Sequence, residues 1–470
     1  MARSSLSRPV LPPRSRRFVK MTKIIRVSSP ALTSTGSVQV QGGLCTIIRE
    51  RQPNTPVKAR NRHRIYPNPL QRRMLARTFG CVRVVFNDVL RLRQESYQTT
   101  GTTTSITELQ KQLITQAKHT RERWWLAEVS NIALQQSIQD ACLAFRNFFQ
   151  SLKGKRKGQK VGFPRFKRKS NAQAFRLTRG GFSIRDNGKL YLAKIGDIKV
   201  RWSRKLPSEP SSVTVIQDAA GRYFVSFVCD VEQIEHEAPN EGVGIDLGIA
   251  TFATLSMGEK VENPRILQRQ LKRLRRLQQS LSRKVKGSKR YQIARRKVAR
   301  LRARIKDTRT DFLHKLSTKI ISENQAIVLE DLNVSGMVRN RRLARAISDV
   351  GWRQFRAMLE AKSIRYGRDF HIISRWEPTS QRCSSCGKLG GKQSLDVRVW
   401  MCLYCGAEHD RDLNAAVNIK QAAGGHSEAL NACVEQRRNA RGGLHQSDSS
   451  AAADEARTRL EVEQFSLFTC

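Results

Sequence analysis

Near the C-terminal end of this 470-residue chain, four cysteines form two CxxC pairs, Cys383/Cys386 and Cys402/Cys405, with 15 residues between the pairs. Thiolates at this spacing wrap one structural zinc ion, and four sulfurs leave no open coordination position. His409 follows directly, and then the acidic motif DRDLNAA, residues 410–416. A zinc knuckle needs no carboxylates beside it, and a carboxylate site needs no thiolates, so the adjacency asks for a reason. Two further acids stand upstream. VGIDLGIATFATLS (243–256) alternates apolar residues around Asp246, the pattern of a strand, a tight turn and a returning strand. AIVLEDLNVSGM (326–337) is an apolar run ending in Glu330, which suits a strand buried at the centre of a sheet.

A strand that presents one carboxylate is a good metal platform, because its backbone fixes the oxygen. At Asp246 a plain hairpin-turn aspartate reads as well. Asp331 points to the opposite face from Glu330 and takes a structural role. Asp412 opens a helix, where it is either an N-cap or a ligand. Asn414, Ala415, Ala416 and Asn418 give that helix a small face that can approach a sheet closely. Carboxylate oxygens of this kind suit Mg²⁺ or Mn²⁺. Three of them can hold two ions about 4 Å apart, the arrangement for phosphodiester hydrolysis.

Several elements must position these residues. A chain of this length divides into two to four domains. Lys and Arg number 87 against 39 Asp and Glu, a net charge of +48, so a polyanion is the expected partner. A ribosomal or membrane-surface protein would share that balance. No apolar run approaches the ~18 residues of a membrane span. The six cysteines outside the pairs are scattered and no secretory segment is present, which indicates reduced thiols and an intracellular protein. Residues 1–49 hold no Asp or Glu. Their composition would suit an organelle transit peptide, and equally a disordered basic arm or an over-extended start upstream of Met21, the two readings favoured here.

Pro67 and Pro69 mark a turn before a helix. Ile138, Ala141, Cys142, Phe145, Phe148 and Phe149 form the core stripe of a second helix. Between them and the strands lies a basic loop, GKRKGQKVGFPRFKRKS (154–170). Its Phe163 and Phe166 suit phosphate contact with base stacking, and a solvated loop reads as well. LYLAKIGDIKVRW, SSVTVIQD and GRYFVSFVCD read as strands, and EAPNEG (237–242) as a linker. Leu267, Leu271, Leu274, Leu277 and Leu281, then Ala294, Val298, Leu301 and Ile305, make a basic helical hairpin around Gly287. Its short arms favour an intramolecular pair over a coiled-coil dimer. The tail is expected to be disordered.

The order Asp246, Glu330, Asp412, with four cysteines just before the last acid, resembles the TnpB family. Its members are labelled OrfB-type transposases of insertion sequences, and type V CRISPR effector nucleases are relatives. The similar stretches are RIYPNPLQ, FGCVRVVFN, ALQQSIQDACLAFRNFF, VGFPRFKRKS, GIDLGIATFATLS, DFLHKLSTKI, VLEDLNVSGM, RRLARAISDVGW, PTSQRCSSCG and CGAEHDRDLNAAVNI, spread over residues 62–420. The resemblance implies an RNA-guided, Mg²⁺-dependent DNA endonuclease that cuts beside a short target-adjacent motif. It implies Asp246, Glu330 and Asp412 as catalytic acids, and Cys383, Cys386, Cys402 and Cys405 as zinc ligands.

The implied fold is multidomain α+β. A RuvC-like RNase H nuclease domain (239–376 and 409–424) is split by a helical hairpin (263–320) and a four-cysteine zinc ribbon (377–408). A β-barrel wedge domain (58–69 and 166–238) and a helical recognition domain (70–165) complete it, between a basic extension (1–57) and a tail (425–470). The implied partners are a guide RNA from the element's own end and double-stranded target DNA, with no membrane. A monomer in the prokaryotic cytoplasm, at the nucleoid, is the expectation. By the same resemblance Gln135 is a candidate reader of the DNA motif, since glutamine can pair with adenine; a capping or core-edge role fits it as well. A transposase performing strand transfer would use the same acids, and loss of an acid would have pointed to a silent RNA-guided regulator. None of the 8 histidines forms the HxH pair of a single-strand transposase.

Overall fold

Asn68 starts the first long helix: its side chain accepts from the Gln71 N–H at 2.8 Å, and the Gln71 side chain accepts from the Asn68 N–H at 3.0 Å. This reciprocal box, with Pro69 in the first turn, ends the preceding strand and fixes the helix entry. A computed structural model of the chain describes residues 46–47, 57–156, 158–170, 172–232, 238–391, 394 and 396–423. The expected disordered arm, the alternative start at Met21 and the tail lie outside the described residues, apart from the short stretches at 46–47 and at 57.

The strands are β1 (Thr46–Ile47), β2 (Val57–Tyr66), β3 (Gln173–Thr178), β4 (Phe182–Ile184), β5 (Leu190–Leu192), β6 (Gly196–Arg201), β7 (Ser212–Gln217) and β8 (Tyr223–Val231). They continue with β9 (Asn240–Asp246), β10 (Thr251–Leu255), β11 (Lys260–Glu262), β12 (Asn324–Glu330), β13 (Asp369–Ile373), β14 (Val399–Met401) and β15 (Glu408–Asp410). The helices are α1 (Pro69–Thr100), α2 (Ile106–Gln110), α3 (Asn131–Leu152), α4 (Ile266–Ser282), α5 (Lys289–Glu323), α6 (Val334–Met337), α7 (Ala344–Val350) and α8 (Trp352–Tyr366). Residues 411–423 are also helical.

Seven strands, in the order β3-β7-β8-β2-β6-β5-β4, form an antiparallel sheet whose two edge strands are neighbours in sequence, so it nearly closes into a barrel. The stretch LYLAKIGDIKVRW is two strands rather than one, because Lys194 turns the chain with φ +66°. Helices α1 and α3 share a core with this sheet, and Phe79 meets Phe175 edge-on at 5.3 Å. The predicted α3 stripe is buried from Ile138 to Phe145, whereas Phe149 is exposed. In the basic loop, Phe163 is only 47% exposed, because its ring docks edge-on against Phe145 at 5.5 Å and Phe148 at 5.4 Å. Phe163 therefore staples the loop to α3, and Phe166 is the more exposed of the two rings.

The second sheet has the order β1-β13-β12-β9-β10-β11. Strands β9, β12 and β13 run parallel, while β10 returns antiparallel from β9. The apolar strand β12 is central, as its composition requires. Alternation divides its faces. Ile245, Ile327, Leu329 and Ile372 pack against α5, α7 and α8 on one side. Val328 and Ile373 meet Ile419 and Ala423 of the 411–423 helix on the other. Two boundaries differ from expectation. Strand β1 forms within the supposed unstructured arm, and Asn240–Gly242, read as linker, already belong to β9.

The basic hairpin is intramolecular: Leu274 and Ile266 of α4 pack on Val298, Leu301 and Ile305 of α5. Its second arm is longer than its pattern suggested. The 35 residues of α5 run on until Leu313, Leu316 and Ile320 enter the sheet core.

Candidate active site

The site is built from the ends of two neighbouring strands and the start of one helix. Ile245 and Leu329 are partners in the parallel β9–β12 ladder. Asp246 and Glu330, one residue further on, therefore stand side by side about 5 Å apart in backbone, at the strand ends. Ile245 and Leu329 both face the α5–α8 core, so both carboxylates face the 411–423 helix. Gly244, two residues before Asp246, shows how near that helix is. A Cβ there would come within 2.1 Å of the Ala416 carbonyl oxygen and 2.5 Å of the Lys420 nitrogen. The small helical face read from the sequence thus lies against β9, with only glycine fitting beneath it.

The alternatives at Asp412 separate on geometry. The cap belongs to Asp410, whose Oδ1 accepts from the Leu413 N–H at 3.0 Å while Oδ2 pairs with Lys260 at 2.6 Å. Asp412 is thereby released, and it lines one cleft of about 590 Å³ with Asp246 and Glu330. Asp331 has the structural role expected of it. Arg356 donates to it at 2.7 Å and Arg375 holds its other oxygen.

Burial, then the charges of Asp412 and Glu330, push the Asp246 carboxyl up to about 7. Burial, then Asp331, raise Glu330 to about 7 as well, against the pull of Arg375. Arg411 and Arg375 offset this crowding only in part. The donor set is all oxygen, the kind a hard divalent ion takes, but among the described residues only the four cysteines stand close enough together to grip an ion. Arg375, Arg398 and Arg411 line the same cleft, and Arg398 reaches Asp412 at 3.3 Å. Sequence reasoning missed these arginines, which in a chain this basic carry no distinguishing local signal.

The four cysteine sulfurs gather with every pair within 4.8 Å. Cys383 and Cys405 are 3.6 Å apart, and Cys386 and Cys402 3.7 Å. Four sulfurs at about 2.3 Å around one tetrahedral ion would lie about 3.8 Å apart, so the set fits zinc. Each CxxC pair closes a knuckle on a left-handed glycine. Gly387 (φ +73°) donates to the Cys383 carbonyl, and Gly406 (φ +70°) to that of Cys402, both at 2.9 Å. His409, whose role was left open, lies with Nε2 3.0 Å from Cys383 Sγ, placed as an outer partner of that ligand.

Two buried asparagines fasten this module to the acid-bearing helix. Asn418 donates to the carbonyls of Thr379 and Arg382, both at 2.7 Å. Asn414 donates to the Arg382 carbonyl at 2.7 Å and accepts from the Ser384 N–H at 2.8 Å. The cysteine module is therefore anchored by the helix that carries Asp412, which accounts for their adjacency in sequence. Gln135 is exposed on α3, away from any cap or core position, so neither of its bland roles is realised.

A cleft lined by carboxylates and arginines, in a chain of this charge, suits the cutting of a polyanion's phosphodiester bonds. Comparisons with known proteins identify the family. Family profiles match residues 226–341 ("Probable transposase"), 352–419 ("Cas12f1-like, TNB domain") and 57–102 ("Helix-turn-helix domain"). The last of these covers a strand and one continuous helix, β2 and α1, rather than two helices around a turn. A "Putative RNA-guided DNA endonuclease" of Streptomyces pristinaespiralis is 44% identical, covering 82% of this chain and 94% of the relative. The Escherichia coli K12 protein "Putative RNA-guided DNA endonuclease InsQ" is 33% identical, covering 78% and 92%. A solved Cas12f1–sgRNA–target DNA complex aligns at a TM-score of 0.49 and 12% identity, over 77% of this chain and 98% of that one. The chain belongs to the TnpB (OrfB) family of nucleases.

Proposed function

We propose that the chain is an RNA-guided DNA endonuclease encoded by a transposable element, cutting target DNA beside a short motif. The observation that carries this reading is the convergence of Asp246, Glu330 and Asp412, from three separate stretches of sequence, in one arginine-lined cleft. The relatives' names support the guide RNA and the DNA target. The order β11-β10-β9-β12-β13, an antiparallel meander followed by parallel strands, supports a RuvC-like RNase H domain interrupted by the hairpin and a zinc ribbon. The barrel-like sheet would serve as wedge domain and α1–α3 as recognition domain, with Gln135 free to contact a base edge.

Mg²⁺ or Mn²⁺ held by the three acids would supply an activated water and stabilise the leaving 3′ oxygen. The protein's own part is positioning. Asp410 and Gly244 set the helix so that Asp412 faces the two strand-end acids. Asp246 and Glu330 hold protons near neutrality and must release them to become ligands. Arg375, Arg398 and Arg411 bring positive charge to a phosphodiester in the cleft.

The test is to purify the protein after co-expression with the flanking sequence of its locus, sequence the bound RNA, and offer a matching plasmid with Mg²⁺. Cleavage that follows the guide portion of that RNA is the expected result. Joined DNA products without a specific RNA would replace the reading with strand transfer, and guided binding without cleavage would replace it with a regulator.

A further inference from the structure

The cleft's one aromatic side chain is explained by neither the acids nor the arginines. Trp376 lines it together with Asp246, Glu330 and Asp412, yet its indole is 86% exposed. Single exposed apolar residues are ordinary on protein surfaces. This one differs in its mount. It sits on the turn that follows β13, where the Glu377 N–H donates to the Ser374 carbonyl at 3.1 Å and the Trp376 N–H donates to Ser374 Oγ at 3.3 Å. Its neighbours are fastened on both sides. Arg375 is bound to Asp331, Glu377 pairs with Arg382 at 2.9 Å, and the Thr379 carbonyl is held by Asn418 at 2.7 Å. A turn fastened in this way holds a large aromatic face in water, beside a cleft lined by arginines and acids.

We propose that Trp376 is a stacking platform for one unpaired nucleobase next to the scissile phosphate. The proposal rests on the nuclease reading above and adds the binding site for the base. The ligand class follows from the surroundings. The arginines of the cleft suit the phosphates on either side, the acids face the reacting phosphodiester, and an indole face offers nothing to a phosphate but stacks on any base. A base inside a duplex has both faces covered, so the ring takes a strand only after it has been separated. The turn is fixed before substrate arrives, so little order is lost on stacking. The contact is sequence-tolerant, which suits an enzyme whose sequence specificity comes from a guide.

The experiment uses the full-length, guide-loaded protein and matched DNA carrying a single abasic nucleotide, scanned across the cut site. Guided binding is measured separately in Mg²⁺-free buffer. Trp376→Ala should keep guided binding and lose about 5- to 150-fold in cleavage rate, the range of one base–aromatic stack. In the wild type, an abasic nucleotide at one position should cause a loss of the same size. The two changes together should cost no more than either alone, and Trp376→Phe should recover most of the rate. A merely structural tryptophan would not couple to one nucleotide. Wild-type cleavage speed in Trp376→Ala, or losses that multiply independently, would overturn the proposal. Should the alanine variant misfold, the abasic scan in wild type and Trp376→Phe still decides: no sensitive position in either means no stacking site. A wild-type chain that cleaves no guided target removes the endonuclease reading itself, a result distinct from all of these.

Discussion

Replacing Asp246 by asparagine should abolish cleavage and yet stabilise the ion-free protein. Its carboxyl is pushed from an ordinary 3.8 to about 7 by burial and by the charges of Asp412 and Glu330. For an acid whose folded value lies above its unfolded value, the penalty is absent below the unfolded value. It grows as pH rises between the two and is fully present above the folded one. Ionised Asp246 therefore costs the folded state about 4 kcal/mol, an upper figure because Glu330 shares the repulsion. Asparagine has the same shape and no charge. Urea unfolding, followed in Mg²⁺-free buffer without chelator so that thiolate-bound metal stays in place, should show the variant about 2–4 kcal/mol more stable at about pH 8. The advantage should shrink by about 2 kcal/mol by about pH 5.5. Added Mg²⁺ should stabilise the wild type and leave Asp246→Asn unmoved. A variant that is less stable at both pH values, or an advantage independent of pH, would refute the account of the site as crowded, uncompensated carboxylates.

At limiting Mg²⁺ the wild-type cleavage rate should rise with pH through about 7, as Asp246 and Glu330 release their protons. The midpoint should fall as Mg²⁺ is raised, and a pH–rate series at several concentrations checks it. Gly244→Ala should displace the 411–423 helix, because its Cβ meets the Ala416 carbonyl at 2.1 Å. A loss of about 1–3 kcal/mol in thermal unfolding together with lost cleavage is expected. Asp410→Ala removes the helix cap and should cost about 0.5–2 kcal/mol, while Asp410→Asn keeps the cap and should cost less. Cys402→Ser should release zinc, read by metal analysis of the purified protein, and lower the unfolding temperature; an active, zinc-free, equally stable variant would contradict the structural role.

Each acid alone was a weak signal in the sequence; their order around the four cysteines carried the resemblance, and the structure lines one cleft with all three. Asp246 closes an alternating run before a glycine turn, and Glu330 ends an apolar strand. At Asp412 the residue pattern left a helix cap and a ligand equally open. Only the Lys260 and Leu413 partners of Asp410 separate the two. The asparagines were read as a small surface, because side-chain bonds to distant carbonyls leave no periodicity. The length of α5 was hidden by its charge. Its buried stripe continues from the hairpin into the sheet core, while its exposed face is mostly basic with Asp307 and Asp311 among the lysines and arginines. The packing of Phe163 on Phe145 and Phe148 was not readable from the loop, since these contacts come from a helix that ends before the loop begins.

The paired asparagines have one more consequence. Chain leaving the nuclease sheet at Thr379 and chain returning at Asn414 are bound to each other, so everything between them is a closed excursion from a fixed base. Lengthening such an excursion costs only a slowly growing closure entropy, about 0.6 kcal/mol per doubling, and moves neither end. The segment is therefore a natural port for grafted chain. Extra residues placed between the two CxxC pairs, clear of both knuckles, would lengthen the excursion without disturbing the alignment of the three acids.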